Sequence, residues 1–230
     1  MSGMGNMAMP GDWEMSMVWM RMPGQTWPGV AASFLGMWIV MMVAMMLPCI
    51  LPMLLRYRRA LGGTGEAHRS RLAALVGAGY FLVWIMFGMV VFPLGVSLAA
   101  IEVQQPALAR AVPIAAGVLV VIAGALQFSA WKAHRLARCG EAFPIRHTVL
   151  NGTGTAWRYG VRLGLRCSGC CANLMTILLV GGIMDLRVMA LVTGALTVER
   201  LTPSGDRIAR AVGVAVIGFG LFLIARAAKV

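Results

Sequence analysis

The longest charge-free stretch runs from Met22 to Leu55, MPGQTWPGVAASFLGMWIVMMVAMMLPCILPMLL, with 34 residues and no Asp, Glu, Lys or Arg. A helix needs about 20 mostly apolar residues to cross the hydrocarbon core of a bilayer. Other charge-free stretches cover residues 72–101, 111–131, 167–184 and 211–225. A shorter apolar stretch, 188–198, becomes long enough if its helix extends over 184–201 with charged ends. These lengths predict membrane-spanning helices.

The composition excludes a soluble globular protein. Sixty per cent of the 230 residues are hydrophobic and 12% are charged, whereas soluble chains carry about 25% charged residues. Continuous apolar runs do not show the alternation of barrel strands, so the predicted fold class is all-α, a polytopic transmembrane bundle of about six helices. We expect helices near 30–55, 72–99, 111–130, 164–183, 184–201 and 209–227. A Met-rich extracytoplasmic tail (1–29) precedes the transmembrane domain (30–230), which has one long inside loop at about 131–163.

The basic residues predict the orientation of the chain. There are 20 Lys and Arg against 8 Asp and Glu. If the N-terminus lies outside, 15 basic residues fall in inside segments and 5 in outside segments, as the positive-inside rule requires. The excess charge then faces anionic lipid headgroups, which argues against nucleic acid as a partner. We therefore predict a multi-pass protein of the bacterial inner membrane whose partner is the lipid bilayer.

Methionine is concentrated at the N-terminus, where 13 of the 19 Met residues lie in the first 46 positions. Thioether sulfur is a soft neutral ligand that suits Cu(I) and needs no deprotonation. The alternative is an apolar tail anchored at the interface by Trp13, Trp19 and Trp27. The candidate metal ligands in the tail are Met4, Met7, Met9, Met15 and Met17.

The first predicted helix continues this sulfur pattern. Met37, Met41, Met45 and Cys49 recur every four residues, so they form one stripe along the helix. A second stripe beside it contains Met42, Met46 and Met53, and two prolines (48 and 52) interrupt the helix, as in helices that line transporter sites. The alternative is a packing face against neighbouring helices. The candidate ligands here are Met41, Met42, Met45, Met46 and Cys49. Met86, Met89 and Met175 are expected to be core residues.

Three cysteines form a C-x-x-C-C motif, Cys167, Cys170 and Cys171, at the inside end of the fourth predicted helix. Thiolates at this spacing share a helix face and suit Cu(I) or Zn(II). Cys49 and Cys170 lie at a similar depth, roughly 9 Å into the membrane at 1.5 Å per residue. We therefore predict that the sulfurs of Cys49, Cys167 and Cys170 face one space between helices. The alternative is ordinary packing of small buried side chains.

Several polar residues near the membrane complete the pattern. Lys132, together with His134 and Cys139, is expected to belong to a solvated basic loop. Glu199 is expected to form an ion pair with Arg200 at a helix end. Gln127 and Asn173 are costly in a bilayer, and Asn173 is a candidate for ordering the adjacent cysteines. A G-x-x-x-G pattern, 160–164, indicates a close-packing seam between helices.

Three stretches together resemble a known bacterial family. They are W-x-x-M-x-x-A-M-M-x-P at 38–48, A-G-A-L-Q at 123–127 followed by Lys132 and Cys139, and G-x-x-x-G-x-x-C-x-G-C-C at 160–171, followed by further matches to Arg200. The family is one of uncharacterised, predicted metal-binding integral membrane proteins. The resemblance implies a membrane location and a metal, it carries over no catalytic role, and the tail lies outside it.

The leading hypothesis is a membrane protein that binds a soft metal, most simply Cu(I), for transport or for delivery to a membrane copper enzyme. A second hypothesis is an accessory subunit of a larger membrane complex, in which the sulfur residues mainly pack. A third is a membrane thiol oxidoreductase, which the lack of an outside cysteine pair disfavours. The sequence contains no carboxylate dyad, phosphate loop or triad, so no enzyme activity is predicted.

Overall fold

The computed structural model of the protein describes residues 6–9, 13–16, 19, 24–62, 65–134, 152–181, 185–202 and 205–228. About half of the tail, the segment around Cys139 and His147, and the ligand candidates Met4 and Met17 lie outside the described residues. Of residues 6–9 and 13–16, the backbone alone is described.

The described chain contains one short hairpin and a bundle of helices. Strands β1 (Asn6–Met9) and β2 (Trp13–Ser16) pair antiparallel. The long helices are α1 (Trp27–Ala60), α2 (Glu66–Gln104), α3 (Pro106–Leu126), α4 (Thr153–Gly181), α5 (Leu186–Leu201) and α6 (Gly205–Ala227). A short helical stretch at residues 130–134 follows α3. The predicted all-α class is confirmed.

Four of these helices are long and apolar enough to cross a membrane. The candidate spans are Trp27–Ala60, Glu66–Gln104, Thr153–Val180 and Arg207–Ala227. In α3 the segment Ala111–Leu126 is apolar but shorter, and α5 has 16 residues. The predicted helices therefore all exist, and four of them have the length and composition of membrane spans.

The helices extend beyond the charge-free stretches that predicted them. Helix α4 begins at Thr153, so residues 153–163 of the expected inside loop are helical. The reason is that a charge-free stretch marks the part of a helix that fits the hydrocarbon core, whereas a helix can continue into the headgroup region. Arg158 and Arg162 lie on this extension and are exposed.

Glycines bring α2 and α4 into backbone contact. A Cβ atom at Gly160 would overlap the backbone carbonyl of Val76, and one at Gly79 would lie 2.7 Å from the carbonyl oxygen of Trp157. Small residues allow two helix backbones to approach closely in a membrane. The seam predicted from the G-x-x-x-G pattern is therefore present, and it fixes α4 against α2.

The sulfur stripe of α1 faces the interior of the bundle. Helix α1 packs against α2 and α5, and the five ligand candidates of α1 are all buried in the main core, while Met37 and Met53 are partly buried against it. Met175 is also buried. The expectation that Met86 and Met89 are core residues was wrong, since they are 46% and 51% exposed on α2. An apolar side chain on a membrane helix can face lipid at no cost, which explains the difference.

The two ends of the bundle differ in chemistry. At one end Trp19, just after the hairpin, packs against Phe34 with ring centroids 5.3 Å apart. At the other end the last turns of α1 meet the start of α4, where the rings of Tyr57 and Tyr159 stack at 5.5 Å. The arginines in the last turn of α1 and the first turns of α4 therefore gather at the end opposite Trp19.

Candidate metal centre

Three sulfur atoms from two helices meet in the core. Sγ of Cys167 lies 3.8 Å from Sγ of Cys171 and 4.0 Å from Sδ of Met46. The two cysteines are four residues apart on α4 and therefore share one face, while Met46 belongs to the inward stripe of α1. All three side chains are at most 1% exposed. We refer to Cys167, Cys171 and Met46 as the sulfur cluster.

The donor set of the sulfur cluster fits a soft monovalent metal. Within the described residues, no three His, Cys, Asp or Glu side chains lie close enough to bind a metal by themselves. A metal held by both cysteines would thus take its third donor from Met46. Three sulfurs bound at about 2.3 Å in a trigonal arrangement lie about 4 Å from one another, close to the two observed separations. A neutral thioether in the set favours Cu(I) over Zn(II).

The remaining described cysteines lie close to this cluster. Cys49 is buried in the same core and interacts electrostatically with Cys167 and Cys170. The Cys170 side chain also interacts with Cys171. The described cysteines are all free thiols. The structure therefore places Cys49 and Cys170 near the pair of Cys167 and Cys171, whose sulfur atoms are 3.8 Å apart.

Tyr80, which was not among the residues predicted from the sequence, contacts the cluster from α2. Its hydroxyl lies 2.8 Å from Sγ of Cys167, and the residue is 1% exposed. A tyrosine hydroxyl inside a charge-free stretch of the length of a membrane span needs a hydrogen-bond partner. This requirement could have identified Tyr80 from the sequence. Asn173, the residue expected to order the cysteines, is buried, but its Nδ2 has no hydrogen-bond partner within the described part of the chain.

Helix α5 brings a positive charge to the cluster. Nη2 of Arg200 lies 3.5 Å from the backbone carbonyl oxygen of Cys167. The guanidinium also interacts electrostatically with Cys49, Cys167 and Cys171. A nearby cation stabilises thiolate, the form of cysteine that binds metals. The guanidinium of Arg200 is thus placed to stabilise negative charge on the sulfur cluster and on a metal complex formed there.

A buried ion pair supports the backbone of the cysteine motif. Nζ of Lys132 lies 3.0 Å from Oε2 of Glu199 and donates a hydrogen bond of 2.8 Å to the carbonyl oxygen of Cys170. Nε2 of Gln127 donates to Oε1 of Glu199 at 3.1 Å. The expectation of a solvated loop at Lys132 was wrong, because Lys132 is fully buried. The carboxylate of Glu199 forms an ion pair with Lys132. The predicted ion pair of Glu199 with Arg200 was wrong.

The other α1 methionines lie between the sulfur cluster and the tail end of the bundle. Met41, Met42 and Met45 are buried within the same core. Near them Nε1 of Trp38 donates to the backbone carbonyl of Trp84 at 2.9 Å, which ties α1 to α2. Sulfur atoms thus continue along the interior side of α1 from the cluster toward the end of the bundle at which Trp19 lies.

In the tail, the hairpin sets a register between methionine positions. Met7 on β1 is the direct cross-strand partner of Met15 on β2, and Met9 is the partner of Trp13. Directly opposed residues of an antiparallel pair have Cα atoms about 4.5–5.5 Å apart. The fold therefore brings together two tail positions that are eight residues apart in sequence.

The chain matches a family of known proteins over most of its length. A family model described as "PpoB2: Copper chaperone" matches residues 35–223. This range contains α1 from Leu35 onward, the sulfur cluster, Tyr80, Lys132 and Arg200, and it leaves out the tail. No curated protein and no solved structure matches the chain.

Proposed function

We propose that this chain, which belongs to the PpoB2 copper chaperone family, holds Cu(I) inside a membrane-embedded helical bundle and delivers it to a copper protein. In this proposal Cys167, Cys171 and Met46 are the ligands. Cys49 and Cys170 act as neighbouring thiols that receive or release the ion. Copper is the cargo of the protein, so no catalytic residue is assigned.

One observation carries the proposal: two thiols and one thioether from different helices lie 3.8 and 4.0 Å apart in a fully buried site. Packing alone does not require sulfur on both sides of this contact, since Leu would fill the volume of Met46. Family membership independently favours copper over the accessory-subunit hypothesis. A thiol oxidoreductase would need access to a redox partner, and these thiols are buried.

The route to the site follows from the placement of the other methionines. We propose that the tail captures copper outside the membrane, and that Met41, Met42 and Met45 pass it along α1 to the sulfur cluster. Thioethers exchange a soft ion without gaining or losing protons, which suits a relay. The contact of Trp19 with Phe34 supports this route, because it attaches the tail to the outer end of α1. The proposed location is the bacterial inner membrane with the N-terminus outside.

Metal analysis of the purified full-length protein tests the site. The protein is loaded with Cu(I) under reducing conditions, and its affinity is measured by competition with a Cu(I) chelator. Replacing Cys167 and Cys171 by Ser should remove one copper equivalent, and Met46→Leu should weaken binding. Met175→Leu is the matched control, since Met175 is buried in the same core but outside the ligand set. Unchanged copper content in the double Ser variant would refute the site.

The tail is tested separately, because it lies outside the matched family range. Replacing Met4, Met7, Met9, Met15 and Met17 by Leu keeps the apolar volume and removes the sulfur. Copper or silver binding by the tail should weaken, while membrane insertion and the bundle site remain. If total binding is unchanged, the tail is only an anchor, and copper must enter the bundle by another route.

A further inference from the structure

Arg200 places a permanent positive charge beside the sulfur cluster. Nη2 lies 3.5 Å from the carbonyl oxygen of Cys167, and the guanidinium interacts with the side chains of Cys167 and Cys171. The guanidinium of arginine remains protonated in proteins. A fixed charge in the interior of a membrane protein is costly and is usually functional or paired.

The neighbouring charges do not remove the effect of Arg200. Glu199 and Lys132 form an ion pair at 3.0 Å, with both side chains 1% exposed, so together they contribute no net charge. Arg166, next to Cys167 in sequence, interacts with Tyr159 near the start of α4. The guanidinium of Arg200 is therefore a charge that the structure places next to the cluster, beside its own ligands and any bound metal.

The charge of a loaded site depends on the valence of the metal. Two thiolates and a neutral thioether carry a charge of −2, so Cu(I) gives a complex of −1 and Zn(II) gives a neutral complex. The guanidinium of Arg200 attracts the negatively charged Cu(I) complex, whereas it has no net attraction to the neutral Zn(II) complex. In a low-dielectric interior this difference is large. Because the comparison is between two loaded states, the protonation state of the empty site cancels.

We propose that Arg200 is a specificity-determining residue that makes the site selective for monovalent soft cations over divalent ones. It acts by balancing the negative charge of the monovalent complex without binding the metal. This inference rests on the proposed function, since it needs the sulfur cluster as the site. It goes further by assigning metal selectivity to a residue that supplies no ligand.

The test compares affinities for Cu(I) and Zn(II) in the purified full-length protein. Each affinity is measured by competition with a chelator of that metal, and Cd(II) serves as a second divalent probe. Arg200→Gln should lower the ratio of Cu(I) to Zn(II) affinity by about 10- to 100-fold, the effect of one unit charge roughly 6–12 Å away at an effective dielectric near 20. Arg200→Lys retains the charge and should largely retain the ratio.

Each outcome decides the proposal. A lower ratio in Arg200→Gln together with a retained ratio in Arg200→Lys supports it. An unchanged ratio, or an equal loss of both affinities, overturns it. Arg200→Met provides a second neutral variant, without an unpaired buried amide, if the Gln variant fails to fold. Wild-type protein that binds Zn(II) as tightly as Cu(I) also overturns it. Failure of the sulfur site itself is distinguishable, because Cu(I) binding would then survive loss of Cys167 and Cys171.

Discussion

The hydroxyl of Tyr80 lies 2.8 Å from Sγ of Cys167, and both side chains are buried between α2 and α4. The glycine seam between these helices holds the two residues at this distance, because Gly164 packs against the backbone carbonyl of Tyr80. A hydroxyl in this position can donate to a metal-bound thiolate. Helix α2 thus contributes to the site without supplying a sulfur ligand.

Tyr80→Phe should therefore weaken Cu(I) binding while the fold survives. A hydrogen bond to a charged group contributes about 1.5–3 kcal/mol, so the affinity should fall about tenfold or more. Chelator competition measures this change. Tyr57→Phe is the control, because Tyr57 is equally buried but belongs to the separate cluster around Leu72 and Ala156. Equal affinities in wild type and Tyr80→Phe would remove Tyr80 from the site.

The buried pair of Lys132 and Glu199 should matter for stability. Glu199→Gln leaves the Lys132 charge buried without its partner, which costs about 3–5 kcal/mol in comparable pairs. The double variant Lys132→Met with Glu199→Leu removes both charges and should be more stable than the single variant. Thermal unfolding in detergent distinguishes these cases.

The exposed pair of Arg58 and Glu66 offers a matched control for that experiment. Its atoms lie 3.3 Å apart, with the Glu66 side chain 78% exposed. Surface pairs contribute about 0–1 kcal/mol, so Glu66→Gln should change the unfolding temperature little. If Glu199→Gln lowers the unfolding temperature as little as Glu66→Gln does, the interior pair does not stabilise the cysteine motif.

Gly160 should tolerate no side chain. In Gly160→Ala the new methyl group would overlap the carbonyl of Val76, so α2 and α4 must separate, at a cost of about 1–3 kcal/mol. Both thermal stability and copper affinity should fall, since the seam also positions Tyr80. Gly154→Ala is the control on the same helix, where an added Cβ meets nothing within 4 Å. Equal stability of the two variants would contradict the close approach.

Much of the fold could be predicted from the sequence, because the bilayer imposes simple rules. The absence of charge from Met22 to Leu55 predicted a membrane helix, and the four-residue spacing from Met37 to Cys49 predicted one sulfur face. The spacing alone does not determine which way this face points, and the inward direction was expected only from the depth that Cys49 and Cys170 share. Lipid accepts methionine as readily as the core does, and the exposed Met86 and Met89 show the same ambiguity.

The predictions that were wrong or missing concern residues whose contact partners are distant in sequence. Lys132 lies in a basic segment of the sequence, and its burial is favourable only because Glu199 on α5 forms an ion pair with it. Tyr80 becomes a site residue only because Cys167 lies opposite it. The spacing within C-x-x-C-C could not select among three cysteines, whereas the structure places Met46 beside Cys167 and Cys167 beside Cys171.

The orientation of the helices provides the last prediction. Arg200, at the end of α5, contacts Cys167 in α4, and the link between these helices lies at the opposite end, near Asp185, so α5 runs antiparallel beside α4. If all the long helices cross the membrane with the N-terminus outside, a reporter after Arg59 is cytoplasmic, and reporters after Gln105 and Lys229 are periplasmic. Helices α3 and α5 have the short apolar segments. A cytoplasmic result after Lys229, with the other two as expected, would mean that an odd number of the helices from α3 to α6 crosses, as when either α3 or α5 stays on one side. Reversal of the Arg59 and Gln105 results would refute copper capture from outside by the tail.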